Sequence, residues 1–381
     1  MEQKHFHFNE KKRVVVKIGS SSLNYGETGN LNFTKLEHLV RELCNLRNRG
    51  MDVCLVSSGA IAVGRQTLGM DERPKDISTK QACAAVGQAR LMMIYQRLFA
   101  EYNQVAGQVL MTKNTMVNPV SRENAKNTFD ELFRLGAIPI VNENDTVSTY
   151  EMQFGDNDTL AALVSCLVSA DLCVTLSDID GLYTANPHED PTAEFVPVVH
   201  KIDAKIIASA GDSSTSVGTG GMITKIRASR ILMTAGIQSV ICSGEEPDAL
   251  VRLARGESVG TLFDPPAERL DIAPRKLWIA LGDKAHGSVT VDDGAAKALV
   301  SRGSSLLAVG IREVDGQFAE GDVLDVCDPS GMVVARGIAE ADSDVLELAA
   351  GRRQDQIASN RLLANLAEKP AIHRDNLIVF A

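Results

Sequence analysis

Between Arg13 and Gly256, short apolar runs rich in β-branched residues alternate with stretches of helical spacing, and this alternation most constrains the fold. Residues 13–18 form one such run and end in Gly19-Ser20-Ser21-Ser22. Leu36, Leu39, Val40, Leu43 and Leu46 then recur at the helical period up to Gly50. Continued along the chain, the pattern predicts strands over 13–18, 53–56, 105–111, 137–141, 172–176 and 237–242. It predicts helices over 33–49, 78–102, 118–135, 158–169, 222–235 and 247–255. Short apolar strands separated by helices imply a mainly parallel sheet covered on both faces. Ligands of such sheets bind beyond the carboxyl ends of the strands.

The pattern changes near Thr261. Pro265-Pro266 and Pro274 interrupt any regular element and mark a linker over 263–275 between a domain at 1–262 and another at 276–381. The second domain is small and β-rich, with strands expected at 288–291, 306–309, 323–326 and 333–335.

At 381 residues the chain has room for both domains, and 44% hydrophobic with 23% charged residues describes an ordinary soluble protein. The first 13 residues are polar and lack the apolar segment of a secretory signal. No apolar run is long enough to span a bilayer. A cytoplasmic protein is expected. A net charge of −10 argues against broad affinity for nucleic acid or an anionic membrane. Seven scattered cysteines without a C-x-x-C pair read as buried, reduced thiols, and His5 and His7 as part of an N-terminal arm. No set of metal ligands stands out.

Six motifs carry chemistry. Residues 218–225, GTGGMITK, bring Lys225 into the first turn of a helix through a glycine-rich turn. Backbone N–H groups, a helix N-terminus and an ammonium group make a phosphate cradle, though the spacing is not that of a P-loop. Lys17 closes the first strand and points into the ligand crevice; its plainer reading is a surface lysine. Ser57-Ser58-Gly59 suits a carboxylate or a phosphate, or simply caps a helix. Asn142, Glu143, Asn144 and Asp145 follow another strand, where the amides can donate and the carboxylates can hold an ammonium group, unless the turn is merely solvated. Asn157 and Asp158 open a helix, so Asp158 is either a cap or an organiser of cationic side chains. Ser177 and Asp178 close a strand where a nucleotide can be held. Two lysines, glycine-rich anion sites and an aspartate together suit phosphoryl transfer, which needs positioning and charge stabilisation above all. No G-x-G-x-x-G follows the first strand, so a dinucleotide site has little support.

The ordered set VVVKIGSSSL, VSSGAIAVGR, KQACAAVGQARL, VNENDTVS, FGDNDTLAA, SDIDGLYTANP and GTGGMITK resembles the amino acid kinase family over nearly the whole chain. KQACAAVGQ and GDND point within it to the branch that phosphorylates the side-chain carboxylate of L-glutamate. Ser177 stands where threonine is common, and Ile223 occupies a variable site. The resemblance implies an open α/β/α sandwich and the conversion of ATP and L-glutamate to ADP and γ-glutamyl phosphate, the first step of proline synthesis. It implies that Lys17 and Lys225 stabilise the transferring phosphoryl group and that Asp158 organises them. Ser58, Gly59, Asn142, Asp145 and Asn157 would bind glutamate. Lys17, Ser177, Asp178, Thr219, Gly220, Gly221, Met222, Ile223, Thr224 and Lys225 would bind ATP, with Mg2+ arriving on the nucleotide.

The resemblance to that branch further implies inhibition by proline, assembly as a dimer or tetramer, and glutamyl phosphate reductase as a candidate recipient of the product. Another acceptor such as N-acetylglutamate is the main alternative. Residues 276–381 resemble a PUA domain, through GAAKALVSRGSSLLAVGI and ARGIAEADSDVL. PUA domains elsewhere bind RNA, but this segment has 11 Lys and Arg against 16 Asp and Glu, a difference of −5. A phosphate-binding face should be basic, so a structural or regulatory appendage is expected.

Overall fold

A computed structural model describes residues 12–26, 28–112, 115–116, 118–148, 156–187, 189–209, 221–245, 248–265, 285–360, 363, 366 and 369–380. They fall into two compact units that divide after Arg269.

In the first unit, the strands are β1 (Arg13–Ile18), β2 (Asp52–Ser57), β3 (Ala106–Met111), β4 (Ile138–Glu143), β5 (Leu172–Ser177), β6 (Leu182–Tyr183), β7 (Phe195–Val196), β8 (Val198–Val199), β9 (Gln238–Ser243) and β10 (Thr261–Phe263). The helices are α1 (Ser20–Leu23), α2 (Phe33–Asn48), α3 (Ala60–Thr67), α4 (Ile77–Ala100), α5 (Pro119–Arg134), α6 (Asn157–Leu167), α7 (Ala204–Ser209), α8 (Met222–Thr234) and α9 (Ala249–Ala254). The expected strands and long helices all form, with ends shifted by one or two residues.

Side-chain caps set several of those ends. Asn32, Asp76, Asn118 and Asp156 each accept a hydrogen bond from the backbone N–H three residues on, satisfying donors that a helix start leaves open. Asp156 therefore caps α6, which frees Asp158 from that role.

The large sheet runs β3-β4-β2-β1-β5-β9-β10-β8. Its first six strands pair in parallel, and β10 is antiparallel to β9. β1, β2 and β5 are buried almost throughout, because helices cover both faces. One face packs Val14, Val16, Leu55 and Val174 against Leu36, Leu43 and Tyr95. β10 continues the sheet to Phe263, a fully buried residue at the start of the expected linker.

The chain builds outward from β1 first through β2 and then through β5. The reversal of direction lies at β1, the kind of switch point where open α/β sheets bind ligands. Lys17 sits on β1 there, in register with Val56 on one side and Thr175 on the other.

α3 and α4 meet backbone to backbone. A Cβ on Gly64 would lie 1.7 Å from the Cys83 carbonyl oxygen, and one on Gly87 would lie 1.8 Å from that of Ala60. Only glycine at both positions permits this crossing.

The second unit has a five-stranded sheet in the order β12-β11-β13-β14-β15, from β11 (Gly287–Val291), β12 (Ile311–Gly316), β13 (Val323–Cys327), β14 (Val333–Ile338) and β15 (Leu377–Val379). α10 (Asp293–Arg302) and α11 (Ser343–Ala349) accompany it, with Val289, Leu299, Leu324 and Leu346 in its core. The strand expected over 306–309 does not form. Leu306 makes a single bridge to Ile372, and Ala308–Gly310 is a 3-10 turn leading into β12. Among the described residues, no helix is long and apolar enough to cross a membrane. All seven cysteines are free.

Candidate active site

Lys17, Asp158 and Lys225 converge beyond the carboxyl end of β1. Lys17 reaches in from the strand, Asp158 from the first turn of α6 and Lys225 from the first turn of α8. All three are buried. Lys17 Nζ lies 2.5 Å from Asp158 Oδ1, and Lys225 Nζ lies 3.4 Å from Oδ2. The Thr224 hydroxyl donates to Oδ2 at 2.7 Å. Oδ1 is paired with the Lys17 ammonium group and has no second partner among the described residues.

Burial alone would raise the Asp158 pKa. The Lys17 and Lys225 ammonium groups, with hydrogen bonds from Lys17 and Thr224, outweigh it and hold the carboxyl below the usual carboxylate range. Two ammonium groups share one carboxylate, leaving one positive charge for an incoming anion.

Asn157, the residue before Asp158, faces a different set of partners. Its Nδ2 donates to Ser58 Oγ at 2.7 Å, with Asn142 Oδ1 at 3.1 Å and the Ser57 carbonyl oxygen at 3.3 Å. Ser58 follows β2, and Gly59 takes φ 104° to start α3, a conformation suited to glycine. Asn142 is buried at the end of β4 and donates through Nδ2 to Gln88 Oε1 on α4 at 2.9 Å. Asp145, just beyond, is half-buried, and burial pushes its carboxyl up to about 6. Asp156 is raised by burial first and by the Asp158 charge second.

Ser177 is buried at the end of β5, and its hydroxyl donates to Oδ1 of the exposed Asp178 at 2.9 Å. Gly221 precedes α8 without a side-chain cap among the described residues, and the Thr224 N–H turns back to the Gly221 carbonyl oxygen at 3.2 Å. Met222 and Ile223 pack against the apolar cluster that contains Leu182, Ile226 and Phe263. Thr219 and Gly220 lie outside the described residues.

The expected residues thus divide into a cationic cluster and an amide cluster, joined by the adjacent Asn157 and Asp158. The motifs did not reveal Gln88, Asp156 or the bond from Thr224 to Asp158. Gln88 lies within KQACAAVGQ, which had no assigned chemistry. Asp156 had the spacing of a cap to Thr159.

The amino acid kinase family model matches residues 12–243, which carry every part of this cluster. The chain belongs to the amino acid kinase family.

Among curated members, the glutamate 5-kinase of Carboxydothermus hydrogenoformans is 46% identical over 97% of this chain and 97% of its own. The glutamate 5-kinase of a Cyanothece species is 44% identical over 96% of this chain and 99% of its own. That of a Geobacter species is 44% identical over 97% of each. In this family member, residues 287–359 also match the PUA domain model.

Proposed function

We propose that the protein is a glutamate 5-kinase, transferring the γ-phosphoryl group of ATP to the γ-carboxylate of L-glutamate. One observation carries the reading: consecutive residues, Asn157 and Asp158, join an amide site for an amino acid to a two-lysine site for a phosphoryl group.

The γ-carboxylate is ionised near neutral pH, so no general base is needed. One of its oxygens attacks the γ-phosphorus. The bond from that phosphorus to the β–γ bridging oxygen breaks, and ADP leaves with the electron pair. Lys17 and Lys225 are oriented for the charge that spreads over the transferring group, and Asp158 keeps their ammonium groups together. Ser58, Gly59, Asn142, Asn157 and Asp145 are assigned to glutamate, with Asp145 meeting the α-ammonium group. Ser177, Asp178 and the turn from Thr219 to Lys225 are assigned to ATP.

Magnesium is assigned to the nucleotide phosphates. Both oxygens of Asp158 are engaged, and the described residues contain no group of three or more His, Cys, Asp or Glu that could hold a metal ion. Residues 1–262 form the proposed catalytic domain and 263–275 the linker. Residues 276–381, acidic overall, are assigned a structural or regulatory role.

Trapping with hydroxylamine tests the activity. With ATP and magnesium, hydroxamate should form with L-glutamate and not with N-acetylglutamate or aspartate. Product with N-acetylglutamate alone would transfer the reading to another acceptor.

A further inference from the structure

The segment KQACAAVGQ has no part in the reaction as described, yet one of its residues meets the amide cluster. Gln88 is buried, at 8% exposure. The residue before it is Gly87, whose lack of a Cβ draws α4 onto the Ala60 carbonyl at the start of α3. That start lies directly after Ser58-Gly59. The backbone crossing therefore delivers Gln88 behind the turn that carries Ser58.

The hydrogen bonds that follow have a single direction. Gln88 Oε1 accepts from Asn142 Nδ2 at 2.9 Å. The Asn142 amide is thereby turned so that its Oδ1 accepts from Asn157 Nδ2 at 3.1 Å. Asn157 Nδ2 points inward to Asn142 and Ser58, and its Oδ1 is left as an acceptor with no hydrogen-bond partner among the described residues. A primary amide presents a donor at one end and an acceptor at the other, so fixing one end fixes both.

We propose that Gln88 is a positioning residue for substrate: its side-chain oxygen sets the Asn142 amide, and through it Asn157, so that Asn157 offers Oδ1 to the α-ammonium group of the amino-acid substrate. Without the Gln88 acceptor, a half-turn of the Asn142 amide sets its NH2 against that of Asn157. Asn157 then turns as well, giving up its longer contact to the Ser57 carbonyl oxygen at 3.3 Å, and presents NH2 to an ammonium group, donor against donor. Gln88 touches neither the reacting atoms nor the lysines. Its effect falls on amino-acid binding and spares the chemical step. The inference rests on the glutamate reading.

The test measures glutamate KM, ATP KM and kcat for the unsubstituted enzyme, Gln88→Met and Gln88→Glu. Methionine keeps the length and removes the acceptor; glutamate keeps an acceptor at the same place. Gln88→Met should raise glutamate KM about tenfold or more, the scale of an unmade buried hydrogen bond, with ATP KM and kcat held within about twofold. Gln88→Glu should restore glutamate KM to within about threefold of the unsubstituted value.

An unchanged glutamate KM in Gln88→Met overturns the inference. So does an equal loss in both variants that extends to ATP KM and kcat, which marks a purely structural role. If Gln88→Met does not fold, Gln88→Glu decides alone: retained glutamate affinity supports the inference, and an affinity loss of about tenfold overturns it. Absence of glutamyl hydroxamate from the unsubstituted enzyme overturns the glutamate reading and the inference together, and is seen before any variant is compared.

Discussion

Lys17 and Lys225, one on a strand and the other on a helix late in the same domain, are held to opposite oxygens of one carboxylate, that of Asp158. Two buried ammonium groups repel each other, and the shared aspartate makes their proximity tolerable. What remains is a site with one positive charge in excess, poised for an anion.

Replacing either lysine removes charge stabilisation without opening the core. Lys17→Met or Lys225→Met should lower kcat by about 100-fold to 1,000-fold while circular dichroism and thermal unfolding stay near those of the unsubstituted protein. Steady-state kinetics checks this, and near-normal turnover in either variant removes that lysine from the mechanism.

Asp158→Asn is predicted to behave differently. It leaves two buried ammonium groups without a counter-charge, a change that costs about 3–5 kcal/mol when one partner of a buried pair is lost. Denaturant unfolding should show that loss of stability together with loss of activity. A fully stable Asp158→Asn protein contradicts the shared-carboxylate account.

Asp145 gives the pH dependence a sign. Its carboxyl is pushed up to about 6 by burial, and only the charged form pairs with an ammonium group. In the free enzyme, kcat/KM for glutamate should fall about tenfold per pH unit below that value. Asp145→Asn should have weaker glutamate binding throughout and lack this acid limb. A limb that survives the substitution belongs to another group.

Glu42 affects stability instead. It is buried in α2 and accepts from the Leu250 N–H at 3.1 Å; burial pushes it up to about 8, against an ordinary value of 4.5. The folded state therefore holds a proton that the unfolded state releases, and stability falls as pH rises from about 4.5 to about 8. Glu42→Gln keeps an acceptor and removes the titration. Its melting temperature, compared with that of the unsubstituted protein, should gain more at pH 8.5 than at pH 5. Equal differences at the two pH values contradict this account of Glu42.

The strands and helices of the first unit were legible because burial on both faces makes its strands continuous apolar runs, while Leu36, Leu39, Leu43 and Leu46 recur at the helical period. Lys17, Ser58, Asn157, Asp158 and Lys225 were legible because each ends a strand or opens a helix at the ligand edge. Gln88 was not: a lone amide inside a helix has no period and no turn chemistry to reveal it. Its partner Asn142 lies 54 positions away in the chain. The sequence also left the role of Asp158 open between cap and organiser, and the bond from Thr159 N–H to Asp156 gives the cap to Asp156. In the second unit, β12 escaped because Arg312, Glu313 and Asp315 make it polar, while the apolar Leu306 to Val309 turned instead of pairing.

The most direct measurement of the central claim follows oxygen. L-Glutamate labelled with 18O in both γ-carboxylate oxygens is incubated with enzyme, ATP, magnesium and hydroxylamine, and the released phosphate is analysed by mass spectrometry. Attack of the γ-carboxylate on the γ-phosphorus predicts one 18O atom in each phosphate, in step with hydroxamate formed. Unlabelled phosphate would mean that ATP is hydrolysed by water, and would contradict phosphorylation of glutamate at this site.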